Sequence, residues 1–306
     1  MKKVFIDGSA GTTGLRIFDR LAMRDDIELI TLDDDVRKDP KCRKKALNSA
    51  DIVFLCLPDE AAVEAVAMLD NPNTVVLDTS TAHRTKPDWC YGFPEIFDNG
   101  DNTISSSKRI AVPGCHACGF IALIRPLVQA RLLKSNIKLS CTSLTGYSGG
   151  GKKMIADYQQ PDELLLAPRQ YGISQSHKHL KEMKLITGID NPPIFHPIVA
   201  DFYSGMEVSV GLFAEDIQGT IDDIKDTYRK QYSGEIVKYV DCADESGFLS
   251  AAAKSGLDSM EIAVYGNDER ILLCARYDNL GKGASGAAIE CMNLVLGTNK
   301  TEGLKL

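Results

Sequence analysis

Runs that are apolar at nearly every position recur through the N-terminal third of the chain: Val4–Asp7, Ile27–Leu32, Asp51–Leu57, Thr74–Asp78 and Arg109–Val112. A run such as Ile52-Val53-Phe54-Leu55-Cys56-Leu57 offers no polar side to water. It therefore reads as a strand covered by helices on both faces, the condition of a parallel doubly wound sheet. Between these runs Leu15, Phe18, Leu21 and Ala22 recur at helical spacing, and Ala61–Leu69 predicts a second helix of small residues. From about residue 137 the pattern becomes strict alternation: Ile137, Leu139, Cys141; then Met206, Val208, Val210, Leu212; then Ile271, Leu273, Ala275, Tyr277. Antiparallel strands with one apolar face follow, with helices covering that face and the other open to a second subunit. Gly281–Leu296 returns to helical spacing and is expected to rejoin the first domain, whereas Asn99–Ser107 reads as the most loop-like stretch. The predicted organisation is α/β, with residues 1–115 and 281–306 forming a dinucleotide-binding domain. Residues 116–280 form an α+β catalytic and dimerisation domain with a largely antiparallel sheet.

Composition narrows the partners. A chain of 306 residues has room for two cores. Its net charge of −7 argues against general affinity for nucleic acid or anionic membranes. No apolar stretch is long enough for a membrane helix, since Phe120–Val128 is broken by Arg125 and Pro126. The N-terminus lacks the apolar run of a signal peptide. Nine cysteines, scattered through a chain far larger than a disulfide-stapled domain, fit reduced thiols and a cytoplasmic location. Small molecules are the expected partners.

Two turns carry chemistry. The first strand runs into Gly8-Ser9-Ala10-Gly11-Thr12-Thr13-Gly14 and then a helix. Glycines there permit a tight turn and close approach of a pyrophosphate, whose charge is met by N–H groups at the helix start, as in Rossmann-type dinucleotide sites. Asp33-Asp34-Asp35 after the second strand favours NAD, while Arg37 and Lys38 can neutralise the 2′-phosphate of NADP, so these residues leave the coenzyme open. Pro58, after the third strand, is expected to join the cofactor contacts.

The last strand of the series ends in Pro113-Gly114-Cys115-His116-Ala117-Cys118-Gly119 and a helical pattern. A thiol at a strand-to-helix turn meets unpaired N–H groups that favour the thiolate and can stabilise an oxyanion. Five histidines could serve it as base: His83, His116, His177, His179 and His196. His116 is adjacent, but successive residues at a helix start point apart. In His177-Lys178-His179-Leu180-Lys181-Glu182 an imidazole can approach the thiol while Glu182, three residues after His179, orients it. A metal site is not expected, because His177 and His179 do not share a helix face.

With these residues assembled, the chain resembles the shorter form of the N-acetyl-gamma-glutamyl-phosphate reductases and, more distantly, the aspartate-semialdehyde dehydrogenases. The likeness rests on Gly8–Gly14, Asp78–Arg84, Tyr91–Ile96, Pro113–Cys115, Gly146–Lys153, His177–His179 and Asn279–Gly286. It implies Cys115 as nucleophile, His179 as acid/base, Asn279 and Gly283 beside the nicotinamide, and NADP as cofactor. The implied reaction is reduction of N-acetyl-L-glutamyl 5-phosphate to the 5-semialdehyde through a thioester, with release of inorganic phosphate, as a step of arginine biosynthesis by a homodimer or homotetramer. Ser80, Arg84, Ser148, Gly149, Lys152 and Arg169 are the candidates for holding the substrate's phosphate and carboxylate. Val112, His116 and Cys118 stand where that family usually has Asn, Tyr and Thr, and the second thiol, one helical turn from Cys115, suggests sensitivity to oxidation. Two other readings remain: aspartyl phosphate as substrate, or a non-redox cysteine acyltransferase, hydrolase or nucleotide sensor.

Overall fold

The computed structural model describes residues 1–306, which divide into two compact units. The first comprises Met1–Pro94, Asn99–Pro113 and Ala284–Leu304; the second comprises Glu95–Asp98, Gly114–Gly283 and Lys305–Leu306. Cys115 thus belongs to the second unit.

In the first unit the chain runs β1 (Lys2–Asp7), α1 (Thr12–Leu21), β2 (Ile27–Ile30), α2 (Pro40–Ser49), β3 (Ile52–Leu55), α3 (Asp59–Ala67), β4 (Val75–Asp78), β5 (Cys90–Tyr91), α4 (Gly100–Ser105) and β6 (Arg109–Ala111). All six strands are parallel, in the order β2-β1-β3-β4-β6-β5. Alternate side chains explain the unbroken apolar runs. Val4 and Ile6 pack with Ile17, Leu21 and the C-terminal helix Gly286–Leu296 on one face, while Phe5 packs with Leu47, Ala62 and Ala65 on the other. The order reverses at β1, so the crevice above the strand ends opens beside the Gly8–Gly14 turn.

Asn99–Ser107, read as loop, contains a helix instead. Its sequence lacks long-range periodicity, but Thr103 donates its N–H and hydroxyl to the Asn99 carbonyl, and Ser105, Ser106 and Ser107 return their hydroxyls to carbonyls one turn back. Ile104 is buried, and Gly100 lies so close to Pro94 that a Cβ would fall 2.0 Å from its carbonyl oxygen. Packing, rather than propensity, decides this element.

The second unit contains α5 (Cys115–Gln129), β7 (Ser140–Gly146), α6 (Gly151–Gln159), α7 (Glu163–Leu166), β8 (Arg169–Gln170), α8 (His179–Thr187), β9 (Ile194–Ala200), β10 (Met206–Phe213), α9 (Ile221–Gln231), β11 (Val237–Tyr239), β12 (Met260–Gly266) and β13 (Arg270–Tyr277). The sheet order is β11-β12-β13-β10-β7-β9-β8, with parallel pairing only at β11/β12 and β7/β9. Two of the three alternating sets found in the sequence, Met206–Leu212 and Ile271–Tyr277, lie on neighbouring antiparallel strands in register, Val208 opposite Ala275 and Val210 opposite Leu273; of the third only Cys141 lies in a strand, β7, which Ile137 and Leu139 precede. α5 covers this buried face at close range: a Cβ on Gly119 would stand 2.7 Å from Val208 Cγ2. On the opposite face Leu272 and Phe213 are exposed. No helix in the chain is long and apolar enough to cross a membrane.

Candidate active site

In the first unit the glycine turn is built for close approach. Gly8 has φ +90°, and a Cβ there would lie 2.3 Å from the Cys56 carbonyl oxygen; one on Gly14 would lie 2.4 Å from that of Gly8. Only glycine meets both conditions. Gly11 caps α1 with no side-chain bond and the first turn has no acidic residue, so its N–H groups face a position suited to an anion. A pocket of about 310 Å³ opens there, lined by Gly8, Ser9, Thr31, Leu32, Arg37 and Lys38 among others. The acidic triplet contributes no lining residue, and Asp34 instead pairs with Arg37 at 3.1 Å on the surface. Ala10, Thr12 and Thr13 complete the turn, half-buried, and Pro58 stands exposed at the start of α3.

Ser80 and Arg84 sit in the same unit, each held by local bonds. Ser80 Oγ donates to Asp78 Oδ2 at 2.7 Å, and the His83 ring meets the same oxygen at 2.6 Å. Arg84 donates to the carbonyls of Val112 and Thr79, both at 2.8 Å. These bonds fix the turn after β4, a duty that the residue types alone did not disclose.

In the second unit Cys115 is the first residue of α5, with Gly114 as cap. Three bonds hold its backbone region. The Gly114 N–H donates to Glu182 Oε1 at 2.8 Å, the Tyr277 hydroxyl donates to the Cys115 carbonyl at 2.6 Å, and the Gly119 N–H donates to Tyr277 Oη at 3.0 Å. Glu182 therefore touches the turn that carries Cys115. His179 and Glu182 are both buried on one side of α8, three residues apart. α8 packs against α5, where Arg125 Nη1 donates to the Ile186 carbonyl at 2.5 Å.

His116 faces inwards, away from any role as the thiol's base. Its Nδ1 hydrogen-bonds Ser143 Oγ at 2.6 Å and its Nε2 hydrogen-bonds Tyr171 Oη at 2.5 Å. Its ring lies 5.7 Å from that of His179 and 5.8 Å from that of His177. Burial, reinforced by His177, pushes the His116 pKa down to about 3. Tyr171, also in electrostatic contact with Cys115, is raised mainly by burial. Half-buried His177 is lowered, chiefly by burial, and its Nδ1 accepts the His179 N–H at 3.2 Å. Gln175 clamps this segment to β9 through two bonds of 2.8 Å with Phe195. His196 lies on β9.

The low pKa of His116 has a measurable consequence. Above about pH 6.5 it is neutral whether folded or unfolded; between about 6.5 and 3 only the unfolded chain takes up the proton. Stability should therefore fall with decreasing pH through that window by up to about 1.4 kcal/mol per unit from this residue alone. Urea unfolding at several pH values should show this slope, and His116→Gln should flatten it.

Asn279, Ser148 and Gly149 are brought together. Asn279 Nδ2 donates to Ser148 Oγ at 3.0 Å, its Oδ1 accepts the Gly205 N–H at 2.9 Å, and a Cβ on Gly149 would stand 3.2 Å from the same amide. Asp278, fully buried, orders the next turn by accepting the N–H groups of Leu280 at 2.6 Å and Gly281 at 3.0 Å. That turn continues as one π-type turn, Gly281–Ser285. A Cβ on Gly283 would be 3.1 Å from Cys115 Cβ, so the backbone there lies directly against Cys115. Lys152 is exposed at the start of α6. Arg169 leans on Tyr158, donating to its hydroxyl at 3.1 Å, and its buried Nε has no partner. Tyr171, Asp278 and the buried pair Lys282–Glu95 escaped the sequence reading. Their importance depends on contacts between residues far apart in the chain. No group of three or more His, Cys, Asp or Glu side chains is arranged to hold a metal ion.

The two sheets and their sites define one class of protein. Residues 3–103 match the semialdehyde dehydrogenase NAD binding domain, and residues 115–279 match the semialdehyde dehydrogenase dimerisation domain. The fold agrees with the aspartate semialdehyde dehydrogenase II of Vibrio cholerae solved with ASA, at TM-score 0.73 and 16% identity over 97% of this chain and 98% of that one. The enzyme of Candida albicans solved with NADP aligns at TM-score 0.66 and 15% identity, covering 97% and 99%. Among curated relatives, N-acetyl-gamma-glutamyl-phosphate reductase 2 of Nostoc sp. is 41% identical over 99% of both chains. The N-acetyl-gamma-glutamyl-phosphate reductase of Brucella anthropi is 43% identical over 96% of this chain and 98% of that one. The chain belongs to the N-acetyl-gamma-glutamyl-phosphate reductase family.

Proposed function

We propose that the chain reduces N-acetyl-L-glutamyl 5-phosphate to N-acetyl-L-glutamate 5-semialdehyde with NADPH, a step of arginine biosynthesis, with Cys115 as nucleophile and His179 as acid/base. The observation that carries this reading is Cys115 at the uncapped start of α5, with its turn tied to Glu182 and the Gly283 backbone against it. The Cys115 sulfur attacks the acyl carbonyl, the carbon–oxygen bond to phosphate breaks, and inorganic phosphate leaves a thioester. N–H groups at the start of α5 face the developing oxyanion. NADPH, when bound, supplies the hydride that the thioester consumes. His179 gives a proton to the resulting alkoxide and takes it back as the carbonyl re-forms, while cleavage of the carbon–sulfur bond frees the aldehyde and restores the thiolate. Glu182 accepts the Gly114 N–H and lies three residues along α8 from His179, on the same buried side, which supports a role in ordering the turn and the imidazole. Arg169, with an unused buried donor, supports binding of the anionic substrate better than exposed Lys152 does.

The dinucleotide fits the first unit: Gly8–Gly14 leave the space that side chains would fill, and the α1 N-terminus suits the pyrophosphate. Arg37 and Lys38, lining the pocket that the acidic triplet leaves alone, favour the 2′-phosphate. The double variant Arg37→Ser/Lys38→Ser should raise KM for NADPH at least about tenfold, as expected for charge-assisted bonds of about 1.5–3 kcal/mol, with little change in kcat or in KM for NADH. Equal KM changes for both coenzymes would place the 2′-phosphate elsewhere. A homodimer or homotetramer is the proposed assembly, with the face bearing Leu272 and Phe213 meeting a second copy.

The reading is tested in the reverse direction, by phosphate-dependent reduction of NADP with N-acetylglutamate semialdehyde beside aspartate semialdehyde. Preference for the acetylated substrate is expected. Preference for aspartate semialdehyde would move the chain to the other substrate, and hydrolysis without coenzyme would remove the redox reading.

A further inference from the structure

Cys115-His116-Ala117-Cys118 has C-x-x-C spacing, and it opens a 15-residue helix. Disulfide oxidoreductases use this arrangement, with one accessible thiol at the helix start and a second one turn behind it. Here Cys115 is partly exposed and Cys118 is fully buried. The reductive mechanism gives Cys118 no task, although its thiol lies within the electrostatic field of Cys115 and points at the Lys282 carbonyl, 3.7 Å away. Burial keeps this thiol protonated, far above the usual range, so it does not compete with Cys115 for substrate.

We propose that Cys115 and Cys118 form a reversible dithiol–disulfide couple, in which Cys118 captures Cys115 after a hydroperoxide has oxidised it. The proposal rests on Cys115 being the reactive thiolate of the preceding section. The Cys115 sulfur attacks one peroxide oxygen, the oxygen–oxygen bond breaks, and an alcohol or water leaves as sulfur becomes a sulfenic acid. The Cys118 sulfur then displaces the hydroxyl group, which departs as water with the Cys118 proton, and the sulfur–sulfur bond forms. A small thiol such as glutathione reverses the step by thiol–disulfide exchange. The net change is loss of two electrons and two protons from the pair, balanced by reduction of the peroxide.

Geometry permits this with local movement. Side chains three apart on a helix have Cβ atoms about 5–6 Å apart, and a disulfide needs about 3.5–4.5 Å. The first turn must tighten by about 1–2 Å, and helix ends pass readily into the tighter i→i+3 form. Gly114, without a side-chain cap, and Gly283, without a Cβ, border the turn that moves. The disulfide takes the nucleophile out of use but spares it from irreversible oxidation to the sulfinic acid.

The test exposes the reduced full-length chain to a severalfold molar excess of hydrogen peroxide, blocks remaining thiols with iodoacetamide, and reads mass and reductase activity. In the wild type the tryptic segment Ile110–Arg131, which holds both cysteines and is not cut at Arg125 because Pro126 follows, should lose two hydrogens and escape alkylation. Dithiothreitol should then restore its mass and the activity together. Cys118→Ser should add two or more oxygens at Cys115 under the same treatment and lose activity that dithiothreitol does not restore. Formation of sulfinic acid at Cys115 in the wild type as fast as in Cys118→Ser would overturn the proposal. So would an oxidised wild type in which Cys118 still alkylates after denaturation. If the variant fails to fold, the mass of the wild-type segment decides alone. A linked pair in a protein without reductase activity would remove the functional reading while leaving the couple; an active enzyme without the link would do the reverse.

Discussion

Cys115→Ala should bind NADPH as the wild type does and yet turn over at least about 10⁴-fold more slowly, the scale of loss when a covalent nucleophile is removed and only binding and oxyanion stabilisation remain. The reason is chemical. Without sulfur no thioester forms, and the acyl phosphate must accept hydride directly while its phosphate competes as leaving group. The fold should tolerate the change, because Cys115 is only partly buried and its backbone is held from outside by Glu182 and Tyr277. Coenzyme titration by fluorescence alongside steady-state turnover separates the two effects. Turnover within tenfold of wild type would end the thioester mechanism. His179→Asn should lose about 10²–10⁴-fold, the usual contribution of one acid/base, and should flatten the pH profile of kcat. If His177→Asn shows this loss instead, the base is His177.

The parts of this architecture legible in the chain were those whose signal is local. Unbroken apolar runs meant strands covered on both sides, and Val4, Phe5 and Ile6 do alternate between two cores. Alternation from Met206 and from Ile271 meant half-covered antiparallel strands, and those two are direct neighbours. The position of Cys115 between strand and helix followed from the same logic; for His116 the helix start indicated only a direction apart from Cys115, and its bonds to Ser143 and Tyr171 came from distant residues. What escaped were features made by distant partners. The helix at Gly100–Ser105 depends on Asn99 and on the close passage of Pro94. Glu182 was read as a partner for an imidazole, and nothing near it in sequence indicates the Gly114 N–H it meets. The second thiol one helical turn from Cys115 was legible from spacing alone, whereas its complete burial depends on distant packing.

The segment Glu95–Asp98 shows how a charge can decide membership. It is embedded in the sequence of the first unit but belongs to the second, where Gln231 donates to the Glu95 carbonyl at 2.7 Å and Arg125 lies 4.5 Å over the Phe97 ring. The Glu95 carboxylate takes both of its oxygens to Lys282 Nζ, at 2.9 and 2.8 Å, with the lysine side chain 1% exposed and the glutamate 9%. Lys282 lies in the turn whose next residue, Gly283, abuts Cys115. Lys282→Met should therefore destabilise the second unit by about 3–5 kcal/mol, because a buried carboxylate is left without its cation. Glu95→Gln/Lys282→Met should recover most of that loss, since a buried pair replaced on both sides no longer strands a charge. Chemical denaturation followed through the second unit's hydrogen-exchange protection measures both. If the pair only stabilises the fold, the double variant should regain kcat along with stability. If it also positions the turn, kcat should stay depressed after stability returns, because the Gly283 backbone would no longer be fixed against the thiol. A double variant as unstable as Lys282→Met would mean that the loss comes from packing around the lysine stem and not from the stranded charge.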